Sequence, residues 1–385
     1  MPGLVGAAHV DPLQPFGVFQ DVGELWREQI DFFGGESEVR QRGDPLDVGA
    51  GETVGHGDDP NTARERLGAR AWRRSRRDVP HDAGPRLAPA CDHGRVSGSL
   101  FGRPRAEVEA ALPDREPVAC PLCGREPRPF AVDFQGLHLA RCAACGLEFQ
   151  HPRPVFEQLA AAVYTPGYHP EAHETVDGGR ERTFARQLER IERYVRRSPA
   201  ALLDVGCGAG AFLGYARSRG WTVGGTDISV TPGARRHDAR LWEGQLPRIR
   251  FDGARFDAVR LNHVLEHTPD PMRELRQARR LVAGDGVLLI GVPNLAGLSV
   301  RLKSWQSRLG LKRRRWKHYG ALHHLWFFTP ATLAALVESA GFRVVYWETP
   351  AEDRPGRSGW AKALVRGPLQ AAKLGGILDL YARPR

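Results

Sequence analysis

Residues 202–210 read LLDVGCGAG, and the fold is decided there. An apolar run meets three alternating glycines, Gly206, Gly208 and Gly210, the pattern of a buried strand turning into a helix through bare backbone that a ligand can approach. The spacing G-x-G-x-G differs from the dinucleotide pattern G-x-G-x-x-G. Asp204 also puts a carboxylate where a pyrophosphate would have to lie, which suits a ligand carrying an ammonium group instead. Asp227 ends the next apolar run, 17 residues past Gly210, where a carboxylate can accept both hydroxyls of a ribose.

Outward from this turn the chain alternates strand and helix. Residues 180–198 form a charged amphipathic helix with Phe184, Leu188, Ile191 and Val195 on one face. Strands are expected at 201–205, 221–227, 256–261, 286–292, 342–348 and 377–382, with helices at 211–219, 271–282 and 330–340. Strands separated by helices predict an α/β, doubly wound, mostly parallel sheet. Residues 351–376 read as an insertion before the last strand, and no internal repeat is visible.

LLDVGCGAG, the strand ending in TDIS (226–229), FDAVRLNHVLEH (256–267) and VLLIGVPN (287–294) resemble the successive motifs of class I S-adenosylmethionine (SAM) dependent methyltransferases, over residues 180–385. The resemblance implies a Rossmann-like methyltransferase sheet of seven strands preceded by a small zinc ribbon. It further implies that Asp204, Gly206, Cys207, Gly208 and Gly210 meet the methionine end of SAM, that Asp227 holds the ribose, and that Ile228 and Asn262 border the cofactor. Glu243 or Gln245 would lie near the adenine, although LWEGQLP (241–247) departs from the family's usual Gly-Asp there.

Methyl transfer from a sulfonium is an in-line displacement, so the protein chiefly aligns the nucleophile and excludes water; a base is needed only if the acceptor keeps its proton. Candidates after the fourth and fifth strands are Asn262, His263, Glu266, His267 and Asn294, with Tyr319, His323 and His324 before the helix at Pro330. His263 and His324 are the expected catalytic residues, because a histidine titrating near neutrality can take a hydroxyl proton. His263 and His267 stand four apart, a spacing that equally serves capping or packing. The quinone-pathway O-methyltransferases, which this region also resembles, carry an acid in place of His263 before the same Glu and His, so a divalent ion orienting a catechol is a further reading.

CPLCG (120–124) and CAACG (142–146) supply Cys120, Cys123, Cys142 and Cys145 as C-x2-C, an 18-residue gap, and C-x2-C. This is the spacing of tetrahedral thiolate coordination of Zn(II), and four cysteines leave no position for water, so the site is structural. Gly124 and Gly146 let each turn curl so that backbone amides can face the sulfurs. Cys91 and Cys207 read as unpaired thiols.

The expected organisation is 1–95, either disordered or preceding a true start near Val96; a ribbon at 116–152; and the methyltransferase domain at 180–385. The longest apolar stretch, 287–300, is broken by Gly291, Pro293, Asn294 and Gly297, so no transmembrane helix is predicted. With no basic and apolar leader at the N-terminus, a cytoplasmic location is expected.

Net charge is +10, and no acid stands between Asp285 and Glu338. Within that window RLKSWQSRLGLKRRRWKH (301–318) interleaves Leu302, Trp305, Leu309, Leu311 and Trp316 with cations. The pattern fits an interfacial helix at an anionic inner membrane face, a lid over a phosphorylated substrate, or a solvated face. Residues 360–374 resemble it weakly, with Gly367 and Pro368 as expected helix breakers.

The expected partner is a small-molecule, saccharide or lipid-linked acceptor methylated on oxygen or carbon. Ribosomal or transfer RNA is the alternative, since a zinc ribbon with a basic surface can hold RNA; the fourth strand lacks the N/D-P-P-Y box of exocyclic base-amine methylation. A non-catalytic zinc-ribbon interaction protein is the third class.

Overall fold

The computed structural model describes residues 100–164, 178–350 and 367–385. The expectations for 1–95, for Cys91 and for 351–366 lie outside the described residues. Within the unit Ser97–Arg385, the chain begins with helix α1 (Arg105–Ala111) and the strands β1 (Arg115–Glu116), β2 (Arg128–Val132), β3 (His138–Arg141), β4 (Glu148–Gln150) and β5 (Arg153–Pro154), then α2 (Phe156–Val163). Strands β2, β3 and β4 form an antiparallel sheet, and β1 pairs with β5.

Helix α3 (Gly178–Glu192) opens the second part, followed by β6 (Ala201–Val205), α4 (Ala211–Ser218), β7 (Thr222–Asp227), α5 (Pro232–Arg235) and β8 (Arg240–Glu243). Then come β9 (Phe256–Asn262), α6 (Pro271–Leu281), β10 (Val282–Pro293), α7 (Leu298–Arg308), β11 (Trp326–Phe327), α8 (Pro330–Ser339), β12 (Phe342–Glu348) and β13 (Ile377–Pro384). Strands β6, β9 and β10 are buried through consecutive residues because helices cover both faces of the sheet.

Seven strands align in the order β12-β13-β10-β9-β6-β7-β8. The pairs among β10, β9, β6, β7 and β8 are parallel, and β13 runs antiparallel to both β10 and β12. The order reverses direction between β6 and β9, and that switch point opens a crevice at the carboxyl ends of the strands. The doubly wound, mostly parallel sheet is as the sequence led us to expect.

Local differences have local causes. The helix expected to reach 198 ends at Glu192, before Pro199, with Phe184, Leu188 and Ile191 buried. Strand β8 was not expected; its four residues are only half-buried and carry no clear period. Strand β10 starts four residues earlier than expected, at Val282. Residues 367–371 are helical, and the stretch before Gly367 on which the expected break depends lies outside the described residues.

The cysteine-bearing segment is bound into the rest of the fold. Strand β11 pairs with β4, Trp326 opposite Phe149 and Phe327 opposite Glu148, so a fourth strand from beyond β10 completes its sheet. Leu137, Leu139, Leu147 and Phe149 are fully buried, in one apolar core that continues to Val292 and Phe342. At roughly 1.5–3 kcal/mol for each such side chain, this burial exceeds what a ribbon of about thirty residues achieves alone. The Gln150 amide donates to the carbonyls of Ala321 and, at 2.8 Å, His324, while the Tyr319 hydroxyl donates to Glu148 at 2.7 Å.

Candidate functional site

The loop after β6 lies at the switch point. Gly206, Gly208 and Gly210 have φ of +66°, +55° and +79°, the left-handed region that glycine enters without penalty. A Cβ on Gly206 would collide with Cγ2 of Val264, so the turn also needs glycine for space. Cys207 is buried, its amide donating to the Thr226 carbonyl at 2.9 Å, and burial followed by the nearby Asp204 and Asp227 carboxylates pushes its thiol pKa far up. It is a neutral thiol, with no disulfide partner among the described residues.

Asp227 closes β7. Its Oδ2 accepts the Gly208 amide at 2.9 Å and its Oδ1 the Ser229 amide at 3.2 Å, so the carboxylate ties the glycine loop to the end of the next strand. Ile228 beside it is 45% exposed, an apolar surface at the rim. Glu243, across on β8, accepts the Val230 amide at 3.4 Å; Gln245 follows β8 and borders a separate cavity with Arg153 and Arg273.

Asp204, expected at the methionine end of the cofactor, lies at the end of β6 beneath the glycine loop. It is 1% exposed, and the Arg260 guanidinium of β9 donates to its Oδ1 at 2.7 Å. Burial pushes its pKa up, and Arg260 opposes that shift. Arg260 also donates to Gln187 at 3.0 Å and covers the Phe212 ring at 3.9 Å. The Gln187 amide, on α3, donates to Asn262 at 3.0 Å and to Asp379 at 3.2 Å. A buried polar network therefore links α3, the glycine-loop strand, β9 and β13.

His263 follows Asn262 and adopts φ +55°, uncommon for a residue with a side chain and held by its amide's 2.8 Å bond to the Gly291 carbonyl. Its Nδ1–H donates to Glu266 Oε1 at 3.2 Å, while the side chain stays 43% exposed. Glu266 is buried, which pushes its pKa up, but the His263 hydrogen bond and the neighbouring imidazoles more than offset this and hold it at about 2. A fixed anion therefore orients His263 through its Nδ1 and leaves Nε2 turned away from Glu266.

His324 departs from the expectation of a histidine titrating near neutrality. Its Nδ1–H donates to the Tyr319 carbonyl at 3.0 Å; loss of hydration, then the neighbouring His267, hold its pKa down at about 3. His267 donates its Nδ1–H to the His323 carbonyl at 2.8 Å and stacks on the His323 ring at 5.2 Å. One nitrogen from each of His267, His323 and His324 comes within 4.8 Å of the others. Nothing in local spacing joins His267 to the pair 56 residues later; the contact exists only once β11 seats the loop beside Glu266, whose carbonyl accepts the Leu325 amide at 2.7 Å. Asn294 is fully buried and spans the carbonyl of Gly375 and the amide of Ala296, at 2.8 and 3.0 Å.

The four cysteine sulfurs also lie within 4.8 Å of one another. Cys120 and Cys145 are 3.4 Å apart, as are Cys123 and Cys142, too long for a disulfide and near the roughly 3.8 Å edge of a tetrahedral Zn–S site. Gly124 and Gly146 take φ of +68° and +75°, and the amides of Leu122 and Cys123 bond to the Cys120 sulfur, those of Ala144 and Cys145 to Cys142. The residues fit a Zn(II) ion by donor type, number and amide surroundings.

In the basic stretch, Trp305 and Leu309 are each 55% exposed on α7 and Leu311 66%, but Trp316, expected on the same face, is buried against Phe130 of β2. Among the described residues no helix is long and apolar enough to cross a membrane.

Residues 176–346 match a family model described as a methyltransferase domain. The chain is 29% identical over 120 residues to a ubiquinone biosynthesis O-methyltransferase of Coxiella burnetii, covering 28% of this chain and 50% of that protein. It is 28% identical over 172 residues to the protein of the same name in Xanthomonas axonopodis, covering 41% and 69%. The chain thus spans about half the length of the first curated relatives it matches. Among solved structures, a 1,6-didemethyltoxoflavin-N1-methyltransferase of Burkholderia thailandensis is similar at 21% identity and a TM-score of 0.42, covering 67% of this chain and 99% of that one. The fold rests on strand order and register rather than on that score. Residues 176–346, which carry five parallel strands of the sheet and the glycine loop at its switch point, are similar in sequence to a methyltransferase domain.

Proposed function

We propose that this chain methylates an oxygen of a small-molecule acceptor, with His263 as the proton acceptor and Zn(II) held by Cys120, Cys123, Cys142 and Cys145 as a structural ion. The reading is carried by the pair His263 and Glu266, where a half-exposed imidazole is oriented by a buried carboxylate at the rim of the crevice. The names of the curated relatives support oxygen as the atom methylated.

The residues present fit SAM. Bare backbone at Gly206 and Gly208 makes room for the methionine end, Asp227 would hold the ribose hydroxyls, and the exposed Ile228 offers apolar surface to the adenine. Asp204, tied to Arg260, fixes the end of β6 beside the loop, and Asn262 borders the same rim. When bound, SAM supplies an electrophilic methyl group. The chain's own part is to align the acceptor oxygen and to remove its proton as the bond forms; Glu266 keeps the Nδ1 proton of His263 in place, so that Nε2 accepts.

The test uses the full chain, methyl-labelled SAM and a panel of catechols and phenols. Label should appear on acceptor oxygen, and His263→Ala should lower kcat by about 10²–10⁴-fold while affinity for S-adenosylhomocysteine (SAH) is kept. Transfer to carbon or nitrogen acceptors alone, or an unchanged kcat in His263→Ala, overturns the reading.

A further inference from the structure

A second cavity, of about 480 Å³, opens between the cysteine-bearing sheet and α7, away from the glycine loop. Its size is that of an ordinary small-ligand pocket. Arg128 and Arg141 line it from adjacent strands and Arg308 from the last turn of α7, with Pro129, Phe130 and Trp316 as apolar wall.

Three features of this cleft oppose stability and are unexplained by the methyltransferase chemistry: a like-charge strand pair, a third guanidinium and a strained tryptophan. Arg128 and Arg141 are direct cross-strand partners, a like-charge pairing that disfavours the sheet. Arg308 brings a third guanidinium to the same cavity, and among the described residues neither Arg128 nor Arg308 has a carboxylate partner. Arg141 is bonded to the buried Glu148, which already accepts the Tyr319 hydroxyl, so that among the described residues this one carboxylate is paired with the three guanidinium groups and two positive charges are left over.

The backbone is also shaped around the cavity. Register passes from Pro129 opposite Ala140 to Ala131 opposite Leu139, so Phe130 is the extra residue of a β-bulge, a device that re-aims a side chain. Trp316 stands in the left-handed region at φ +61°, where a bulky side chain is strained, and its amide is held by Ser307 Oγ at 3.1 Å.

We propose that this cleft binds a soluble ligand through a phosphate or pyrophosphate group, the arginines taking the anion and Phe130 with Pro129 covering its apolar part. Planar guanidinium groups suit phosphate oxygens because each presents two parallel N–H donors. The repulsion between Arg128 and Arg141 is relieved when the anion sits between them. The inference is independent of which atom the methyltransferase domain methylates.

Calorimetric titration of the full chain tests it, with inorganic pyrophosphate and uridine diphosphate as probes and SAH as a control ligand. Both probes should bind saturably, and affinity should fall with added salt. The double variant R128Q/R308Q should weaken both by roughly a hundredfold while SAH binds as before. A parallel sedimentation with phosphatidylglycerol vesicles separates lipid headgroups from free phosphates. Absence of saturable probe binding, equal binding by the double variant, or retention on vesicles without uptake of either probe overturns the proposal. A variant that also loses SAH is replaced by Arg308→Gln alone, expected to cost about tenfold.

Discussion

Replacing Asp227 by Asn tests the cofactor crevice most directly. The carboxylate accepts one backbone amide on each oxygen, Gly208 at 2.9 Å and Ser229 at 3.2 Å, and each oxygen can accept a second hydrogen bond. An asparagine of the same shape keeps one of the amide bonds and sets an N–H₂ against the other position. A bond from a hydroxyl to a charged acceptor contributes about 1.5–3 kcal/mol, and two ribose hydroxyls would make two such bonds. With part of one bond regained by the amide oxygen, the net loss is about 3 kcal/mol, or roughly a hundredfold in SAH affinity. Calorimetry on the wild type and Asp227→Asn measures the ratio, and thermal denaturation without ligand checks that the loop survives. A fall in affinity of less than about fivefold, with the melting point unchanged, refutes the assignment of Asp227 to the ribose.

Four further outcomes are expected. Gly206→Ala should destabilise the chain by about 2–4 kcal/mol and weaken SAH binding, because the new methyl meets Val264 at a left-handed residue, and Val264→Ala in the same chain should restore part of the stability; denaturant titration decides. Cys142→Ser should lose bound zinc, measured by elemental analysis at one ion per chain in the wild type, and should quench the ordered environment of Trp326, which packs on Phe149 at 5.2 Å. Methyl transfer should fall with it, since Gln150 holds the loop of His324. Glu274 is 4% exposed, and burial, then Asp270, push its pKa up to about 8. Its folded-state value is raised, so its contribution to stability is complete below the unfolded value near 4.5 and is lost as pH rises through 8; Glu274→Gln should gain on the wild type across that window, by on the order of 3 kcal/mol at its alkaline end, and equal melting points in alkaline buffer would count against the buried carboxyl.

Much of the fold was legible because its signals are local. A strand buried on both faces must be largely apolar at consecutive positions, as in Val287 to Val292. A turn with positive φ at Gly206, Gly208 and Gly210 must be glycine to escape strain. Paired C-x2-C segments bring four thiols together by turn geometry alone. Pro271 and Pro330, each behind a capping Asp270 or Thr329, marked helix starts for the same reason.

The chemistry of the rim was less legible. His263 was visible as a candidate, but its tautomer depends on Glu266 being buried, and His324's loss of basicity depends on desolvation by elements far apart in the chain. Trp316 looked like a partner of Trp305 on an exposed face, and only the bulged β2 explains why it is buried.

Local sequence was enough to place the alternating strands and helices apart from β8, the glycine loop between β6 and α4, the two acids flanking it and the paired cysteines. Each of these is written in the spacing of neighbouring residues, through the two-residue period of a strand, the handedness of a turn or the reach of a thiol. Tertiary structure decided that Arg260 neutralises Asp204, that Glu266 governs His263, that β11 completes the cysteine-bearing sheet and that three arginines share one cleft. Those pairings join residues up to about 180 positions apart, and their energy comes from burial and charge that exist only after the layers have packed.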